Sequence, residues 1–157
     1  MTTDVKKGIQ NRVNLIIKAV QDLIKNCYSN FDFKISYLTI FSQSDNDFQN
    51  LRSSMQQLGE ESEANNGYKY KSKSPINYLD EHIELVRIRK PDIHRKEFGC
   101  ADLIYKREDY EKLRTIALEK GFDVIVRKDY EMIELSDFKT NAYAYLVKDL
   151  EKEKDFI

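Results

Sequence analysis

The stretch HIELVRIRKPDIHRKEFGCADLIY, residues 82–105, decides the fold that we predict for this 157-residue chain. Two apolar, strand-like segments, 82–89 and 98–105, predict strands, and the basic segment that contains Pro91 predicts a loop between them. On either side of this loop the chain follows the same order of predicted elements. We therefore interpret the loop as the joint between two similar halves.

The first half begins with residues 33–41, which are rich in β-branched and aromatic side chains and predict a strand. A helix is predicted to begin at Ser44 or Asp45 and to end at Gly59. Residues 65–67, Asn-Asn-Gly, then predict a hairpin turn that leads into a further strand.

The second half repeats this order after its own first strand, 98–105. A helix is predicted over 108–120, and it ends at Gly121. The remaining predicted elements are strands over 122–127, 131–135 and 142–147, and a charged tail over 148–154 that is predicted to be a frayed helix end.

The two predicted helices carry the same motif. D-F-x-x-L-R-S begins at Asp47 and leads to Gly59, and D-Y-x-x-L-R-T begins at Asp109, 62 residues further along, and leads to Gly121. Each helix follows a strand and precedes a meander, so both halves read β-α-β-β-β. We favour an internal duplication; the alternative is a chance similarity between two amphipathic helices.

An amphipathic helix is predicted ahead of the first strand. Apolar residues recur at helical spacing over residues 5–28, and Asp4 is the predicted N-cap. We expect this helix to pack on the domain that follows it, with a dimer contact as the alternative. The predicted organisation is a helix over 1–30 and a single domain over 31–157, with modules at 33–91 and 96–148.

The composition excludes several classes of protein. A formal net charge of -1 provides no global attraction to nucleic acid or to a membrane. The two cysteines, Cys27 and Cys100, lie far apart and lack the spacing of a zinc site. We predict neither a signal peptide, since Lys18 and Asp22 interrupt the apolar residues near the N-terminus, nor a membrane-spanning segment, since no apolar run is long enough. We expect a cytoplasmic protein with reduced thiols and with neither nucleic acid nor membrane as a partner.

Charged residues inside apolar strand patterns are the candidate ligand-binding residues. Such charges are costly on the inner face of a sheet unless they are paired or bind a ligand, although solvent exposure or cross-strand pairing is the simpler explanation. Arginine suits carboxylate or phosphate, which favours an anionic ligand. Within residues 83–88 the apolar side chains change from odd-numbered positions (Ile83 and Leu85) to even-numbered positions (Val86 and Ile88), so they change from one face of the strand to the other. A bulge at this point would redirect Arg87 and Arg89. The candidates are Tyr37, Glu84, Arg87, Arg89, Asp102 and Glu134.

The element order, the repeated helix and the sequence M-I-E-L around Glu134 resemble the glyoxalase/bleomycin-resistance superfamily, also called the vicinal oxygen chelate superfamily. The resemblance implies paired β-α-β-β-β modules that form a cupped sheet around a ligand cavity. It also implies a divalent metal held by a His or Gln on the first strand of each module and a Glu on the last.

The residues that match these metal positions depart from the family pattern. The first strands offer Tyr37 and Thr39, and Asp102 with Cys100 beside it, in place of His or Gln. Glu84 matches a ligand glutamate, whereas Glu134 precedes a further strand and is out of register. Since a durable site needs three or more suitable ligands, we predict no bound metal and no cofactor.

The sequence therefore predicts an α+β fold: two β-α-β-β-β modules that form a curved, mostly antiparallel sheet, plus the N-terminal helix. The leading functional hypothesis is a glyoxalase-like protein that binds a small anionic molecule in a sheet-lined cavity, with homodimer formation left open. One alternative is a metal-dependent lyase, isomerase or dioxygenase of the same superfamily. A second alternative is a hydrolase of phosphate compounds with a charged barrel interior.

Overall fold

The computed structural model describes residues 3–29, 31–137 and 141–149, and these residues form three helices and eight strands. The helices are α1 (Thr3–Cys27), α2 (Asp45–Leu58) and α3 (Arg107–Lys120). The strands are β1 (Tyr37–Phe41), β2 (Gly59–Ala64), β3 (Gly67–Tyr78), β4 (Glu81–Arg89), β5 (Gly99–Tyr105), β6 (Asp123–Val126), β7 (Glu131–Leu135) and β8 (Ala142–Lys148).

All eight strands belong to one sheet, in the order β2-β3-β4-β1-β5-β8-β7-β6. Within each half of the chain, the first strand pairs in parallel with the last: β1 with β4, and β5 with β8. The other strand pairs are antiparallel, including the β1–β5 pair that joins the two halves. The predicted α+β fold of two β-α-β-β-β modules in a mostly antiparallel sheet is confirmed.

The helices and alternate residues of the strands form one hydrophobic core. Because successive side chains of a strand point to opposite faces, the residues between the core positions lie on the other face of the sheet, which we call the open face. The core positions of the strands include Leu38, Ile40, Val86, Ile88, Ala101, Leu103, Ile133, Leu135, Ala144 and Leu146. The open face carries Tyr37, Thr39, Arg87, Arg89, Cys100, Asp102, Glu134, Tyr143 and Tyr145.

Helix α1 belongs to the same core as the sheet, and its apolar stripe, which includes Val13 and Ile16, is fully buried. Ile16 lies over Gly99 at the start of β5, where a Cβ atom would come within 2.6 Å of Ile16 Cδ1. Arg12 pairs with Asp47 of α2 at 2.9 Å. The helix begins at Thr3, so Asp4 lies inside its first turn and the prediction that Asp4 is the N-cap is wrong.

The two repeated glycines have different conformations. Gly121 ends α3 with φ 77°, the left-handed conformation that favours glycine. Gly59 is extended and is the first residue of β2, so α2 passes directly into a strand. A Cβ at Gly59 would lie 2.3 Å from the Lys71 carbonyl oxygen. Close packing against β3, not a helix cap, therefore requires glycine at this position.

Strand β1 begins at Tyr37, four residues later than the predicted Phe33. Residues 33–36 precede it without regular strand pairing, although Ile35 is buried in the core. The Ile35 backbone N–H donates to the buried carboxylate of Glu81 at 2.8 Å. A side chain thus satisfies the donor that a sheet partner would otherwise satisfy.

The pairing of β3 with β4 is interrupted where the apolar phase of β4 flips. The register passes from Lys71–Leu85 to Ile76–Ile83, so residues 72–75 lie opposite Glu84. Ile83 and Val86 both enter the core although their spacing is odd. The predicted irregularity is confirmed, and the extra residues are on the partner strand, β3.

The sequence predicts a frayed helix end over residues 148–154. Lys148 is instead the last residue of β8, and residues 150–154 lie outside the described residues.

Candidate functional site

Tyr37 and Asp102 face each other across the β1–β5 pair that joins the two modules. The Tyr37 hydroxyl donates a hydrogen bond to the Asp102 carboxylate. Asp102 is 9% exposed, and burial raises the pKa of its carboxyl group to about 6, against the opposing effects of the Tyr37 hydrogen bond and the Arg87 charge. Burial, together with Asp102, also raises the pKa of the Tyr37 hydroxyl. The module junction therefore holds a buried carboxylate that titrates near neutrality.

Arg87 supplies the nearest positive charge to this pair. It lies on β4 beside Thr39 of β1, and its charge acts on both Tyr37 and Asp102. Its Nη2 donates to the backbone carbonyl of Asn65 in the β2–β3 turn. Its Nε is buried without a hydrogen-bond partner. A guanidinium with an unsatisfied buried donor is an unusual feature, because such donors are normally paired.

A cavity of about 440 Å³ adjoins Arg87 on the first module. Its volume lies within the range of small-molecule sites in proteins. Leu85 and the Tyr37 ring provide apolar surface, and Lys69 and Lys71 of β3 add two positive charges. The full lining is Tyr37, Glu60, Glu61, Ser62, Ala64, Asn65, Lys69, Tyr70, Lys71, Leu85, Val86 and Arg87.

Positive charges exceed negative charges in this lining. Glu61 is already paired with Arg52 at 3.1 Å and accepts a hydrogen bond from Tyr70 at 2.7 Å. The Arg52 hydrogen bond is the main cause of a Glu61 pKa of about 2. The lining as a whole holds two carboxylates, Glu60 and the paired Glu61, and three cationic side chains, Lys69, Lys71 and Arg87. The cavity is therefore suited to an anion.

On the second module, side chains of the protein itself cover part of the open face. Arg95, from the loop between β4 and β5, hydrogen-bonds to Tyr145, which also bonds to Glu134. The Tyr143 hydroxyl donates to Glu97 at 2.6 Å. The joint between the modules thus supplies two charged side chains to the open face of the second half.

The structure brings together three of the six candidate residues, Tyr37, Arg87 and Asp102. Glu134 lies on the same face but is bonded to Tyr145 two strands away from β1. Arg89 also lies on this face, 3.8 Å from Asp92, with its guanidinium over the Phe41 ring. Glu84 is exposed at the β3–β4 irregularity and is not part of the cavity lining.

Sequence reasoning missed the two lysines of the cavity. In β3, Tyr68 and Tyr70 alternate with Lys69 and Lys71, and Tyr70 is buried in the core. Alternation places both lysines on the opposite face, so this pattern was the available signal. That β3 lies beside β4, with Lys69 opposite Arg87, follows only from the sheet order.

The donor set does not fit the metal site that the family resemblance implies. Within the described ranges, no three His, Cys, Asp or Glu side chains lie close enough together to hold a metal ion. Asp102 is bonded to Tyr37 and Glu134 to Tyr145. Glu84 lies on β4, two strands from Asp102 of β5 and four strands from Glu134 of β7. The module junction offers a phenol, a threonine and a buried thiol in place of imidazole ligands, a poor set for a divalent ion.

The barrel required by the phosphohydrolase hypothesis is also not formed by the described residues. The sheet is open, with β2 and β6 as its two edges. In the same part of the chain, no helix combines the length and apolar character needed to cross a membrane.

Comparison with solved structures identifies the fold. The structural-genomics protein EC4020 aligns with a TM-score of 0.64 at 15% identity, covering 88% of this chain and 84% of that protein. The 2,2',3-trihydroxybiphenyl 1,2-dioxygenase of Sphingomonas wittichii strain RW1, a vicinal oxygen chelate enzyme, aligns with a TM-score of 0.51 at 8% identity. This protein has the vicinal oxygen chelate fold.

The vicinal oxygen chelate fold predicted from the sequence is therefore confirmed. The alignment covers 74% of this chain and 40% of the dioxygenase, so the chain corresponds to less than half of that enzyme. No protein-family model matches the sequence, and no match was found among curated proteins. At these identities the comparisons establish the fold alone.

Proposed function

We propose that the protein binds a small anionic organic molecule in the cavity of the first module. The observation that carries the proposal is the cavity lining, which places the Arg87 side chain together with Lys69 and Lys71 around one space. An anionic oxygen in the cavity would interact with the guanidinium charge of Arg87 and accept hydrogen bonds from its N–H groups. Lys69 and Lys71 line the same space and favour the same charge.

The apolar part of the lining favours an organic anion over a bare inorganic one. Leu85, Ala64 and the Tyr37 ring contribute this surface, and a hydrocarbon or aromatic group would bury it with a gain of roughly 25 cal/mol per Å². A carboxylate or phosphate ester with a compact apolar body fits both features.

Titration calorimetry with benzoate, phenyl phosphate and inorganic phosphate tests the proposal. We expect at least one organic anion to bind wild-type protein more tightly than inorganic phosphate does. Arg87→Met should weaken that binding by about tenfold to a hundredfold, the usual effect of removing a charged hydrogen bond. Arg87→Lys should restore part of it, because the charge is kept and the planar fork is lost.

Arg89→Met is the matched control. Arg89 is on the same strand and the same face, but it faces Phe41 and Asp92 and is not part of the cavity lining. Its removal should leave the affinity within about twofold of wild type, as expected for a charge outside the site. Equal losses in the two variants, or no binding of any probe, would contradict the proposal.

A further inference from the structure

The hydrogen bond between Tyr37 and Asp102 determines which partner Tyr37 can offer to the cavity. An ionised carboxylate only accepts hydrogen bonds, so the single hydroxyl proton of Tyr37 must point toward Asp102. The phenol oxygen keeps lone pairs that can accept a hydrogen bond. Because Tyr37 also lines the cavity, it presents an acceptor to a bound ligand and not a donor.

Arg87 has the opposite character. A guanidinium donates hydrogen bonds and accepts none, and the Arg87 side chain lines the cavity. Tyr37 and Arg87 are diagonal neighbours on adjacent parallel strands, since Arg87 lies beside Thr39, and the Arg87 charge acts on the Tyr37 hydroxyl. One wall of the cavity therefore combines an anion-binding donor with an acceptor.

We propose that the cavity selects anions that carry a hydroxyl or N–H donor close to the anionic group, with Arg87 binding the anion and Tyr37 accepting the hydrogen bond. This inference rests on the proposed function and specifies the class of ligand. It explains why a buried carboxylate is kept beside the site: Asp102 holds the Tyr37 proton away from the ligand.

The protonation of Asp102 should control this preference. Above a pKa of about 6 the carboxylate accepts the Tyr37 proton. Below it, the carboxyl group can donate to the phenol oxygen and free the Tyr37 proton to point into the cavity. The preference for donor-bearing anions should therefore be strong above this pH and fade below it.

Several titratable and charged groups surround Asp102. They are Tyr37 of β1, Arg87 of β4, Cys100 of β5 and Tyr145 of β8, together with the two partners of Tyr145, which are Glu134 of β7 and Arg95 of the loop between the modules.

A matched pair of ligands tests the selectivity. Mandelate and phenylacetate differ by one hydroxyl beside the carboxylate, and their affinities are measured by titration calorimetry at about pH 7.5 and about pH 5, on either side of the Asp102 pKa. We expect mandelate to bind wild type about fivefold to tenfold more tightly at the higher pH, the worth of one hydrogen bond. Tyr37→Phe should abolish the difference.

Tyr143→Phe is the control, because Tyr143 lies on the open face but bonds to Glu97 and does not line this cavity. It should keep the mandelate preference. Equal binding of the two acids to wild type, with binding still dependent on Arg87, would overturn the inference and leave the proposed function intact. Retention of the preference by Tyr37→Phe would overturn it as well.

A measurement without ligand tests the pair directly. Carbon NMR titration of the Asp102 carboxyl group should show a higher pKa in Tyr37→Phe than in wild type, because the hydrogen bond that favours the charged form is lost. Tyr143→Phe should leave it unchanged. If the pKa of Asp102 is the same in Tyr37→Phe as in wild type, the inference is refuted, even if neither acid binds. Failure of both acids to bind would by itself count against the proposed function.

Discussion

Asp102 illustrates how one residue is controlled by its neighbours at the module junction. Its carboxyl group is almost fully buried, which raises its pKa, and it remains partly stabilised as an anion by Tyr37 and Arg87. The compensation is incomplete, since the pKa stays at about 6, above the value of about 3.9 for an exposed aspartate. A charged form is therefore kept at neutral pH at a cost in stability.

This cost predicts a pH dependence of folding. A carboxyl group whose pKa is raised in the folded state stabilises the fold below its unfolded pKa of about 3.9, and this contribution is lost as the pH rises through about 6. Relative to wild type, Asp102→Asn should therefore gain stability on going from about pH 4.5 to pH 7, by about 2 kcal/mol, which is the part of the roughly two-unit shift that falls in this pH range. Urea unfolding at both pH values measures the difference.

Asp123→Asn, which changes an exposed aspartate on β6, is the control for this measurement. It should follow the wild-type pH profile closely, because substitution of an exposed side chain changes stability little. If Asp102→Asn also followed the wild-type profile, the carboxyl group would not be titrating as described.

At the scale of elements, the repeated motif joins each helix to a strand of its own module through the same residue type. Arg52 of α2 pairs with Glu61 of β2 at 3.1 Å, and Arg114 of α3 pairs with Glu131 of β7 at 3.0 Å. A tyrosine hydroxyl donates to each glutamate at 2.7 Å. The arginine of the repeated motif, Arg52 in the first half and Arg114 in the second, therefore has an equivalent structural role in both halves.

Double-mutant cycles should give similar coupling energies for the two pairs. With Arg→Met and Glu→Gln substitutions, we expect small coupling energies of similar size for Arg52–Glu61 and for Arg114–Glu131 at neutral pH, since partly exposed ion pairs contribute little. The hydrogen bond from Arg52 lowers the Glu61 pKa, so the first coupling should be lost as the pH falls toward about 2. The exposed pair Lys18–Asp22 within α1 is the reference and should give less. A coupling near zero in one repeat pair alone would contradict the equivalence.

At the scale of the whole molecule, the N-terminal helix is part of the core that the two modules share. Its buried stripe packs in the same cluster as the strands of both halves, and Ile16 lies directly over the start of β5. The predicted division into a helix over 1–30, packed on a single domain over 31–157, stays a prediction. Because the buried stripe of α1 is part of the shared core, we expect the domain to need this helix for stable folding.

Two adjacent residues of α1 test this dependence. Ile16 is 0% exposed and Leu15 is 50% exposed. Ile16→Ala should lower the free energy of unfolding by about 2–4 kcal/mol through loss of buried surface and formation of a cavity, whereas Leu15→Ala should change it by less than about 0.5 kcal/mol. Urea unfolding measures both, and a chain restricted to 31–157 should not unfold cooperatively. Similar costs at the two positions, with a dimer that dissociates in Leu15→Ala, would support the alternative of a dimer contact.

The sequence by itself determined the elements and their order. Strand alternation, the repeated D-[FY]-x-x-L-R-[ST] helix and the Asn-Asn-Gly turn are local properties, because side-chain spacing and turn preferences depend on residues a few positions apart. The irregularity in β4 was visible for the same reason: Ile83 and Val86 cannot share a face in a regular strand.

Only the tertiary structure decided which charges meet. Glu84 and Arg87 are close in sequence, yet the bulge leaves Glu84 exposed outside the cavity while Arg87 faces Asp102 of the other module. The insertion of β1 between β4 and β5 creates this meeting, and it is a long-range pairing that no local pattern encodes. Burial then sets the pKa of Asp102, because desolvation depends on everything packed around a group and not on its neighbours along the chain.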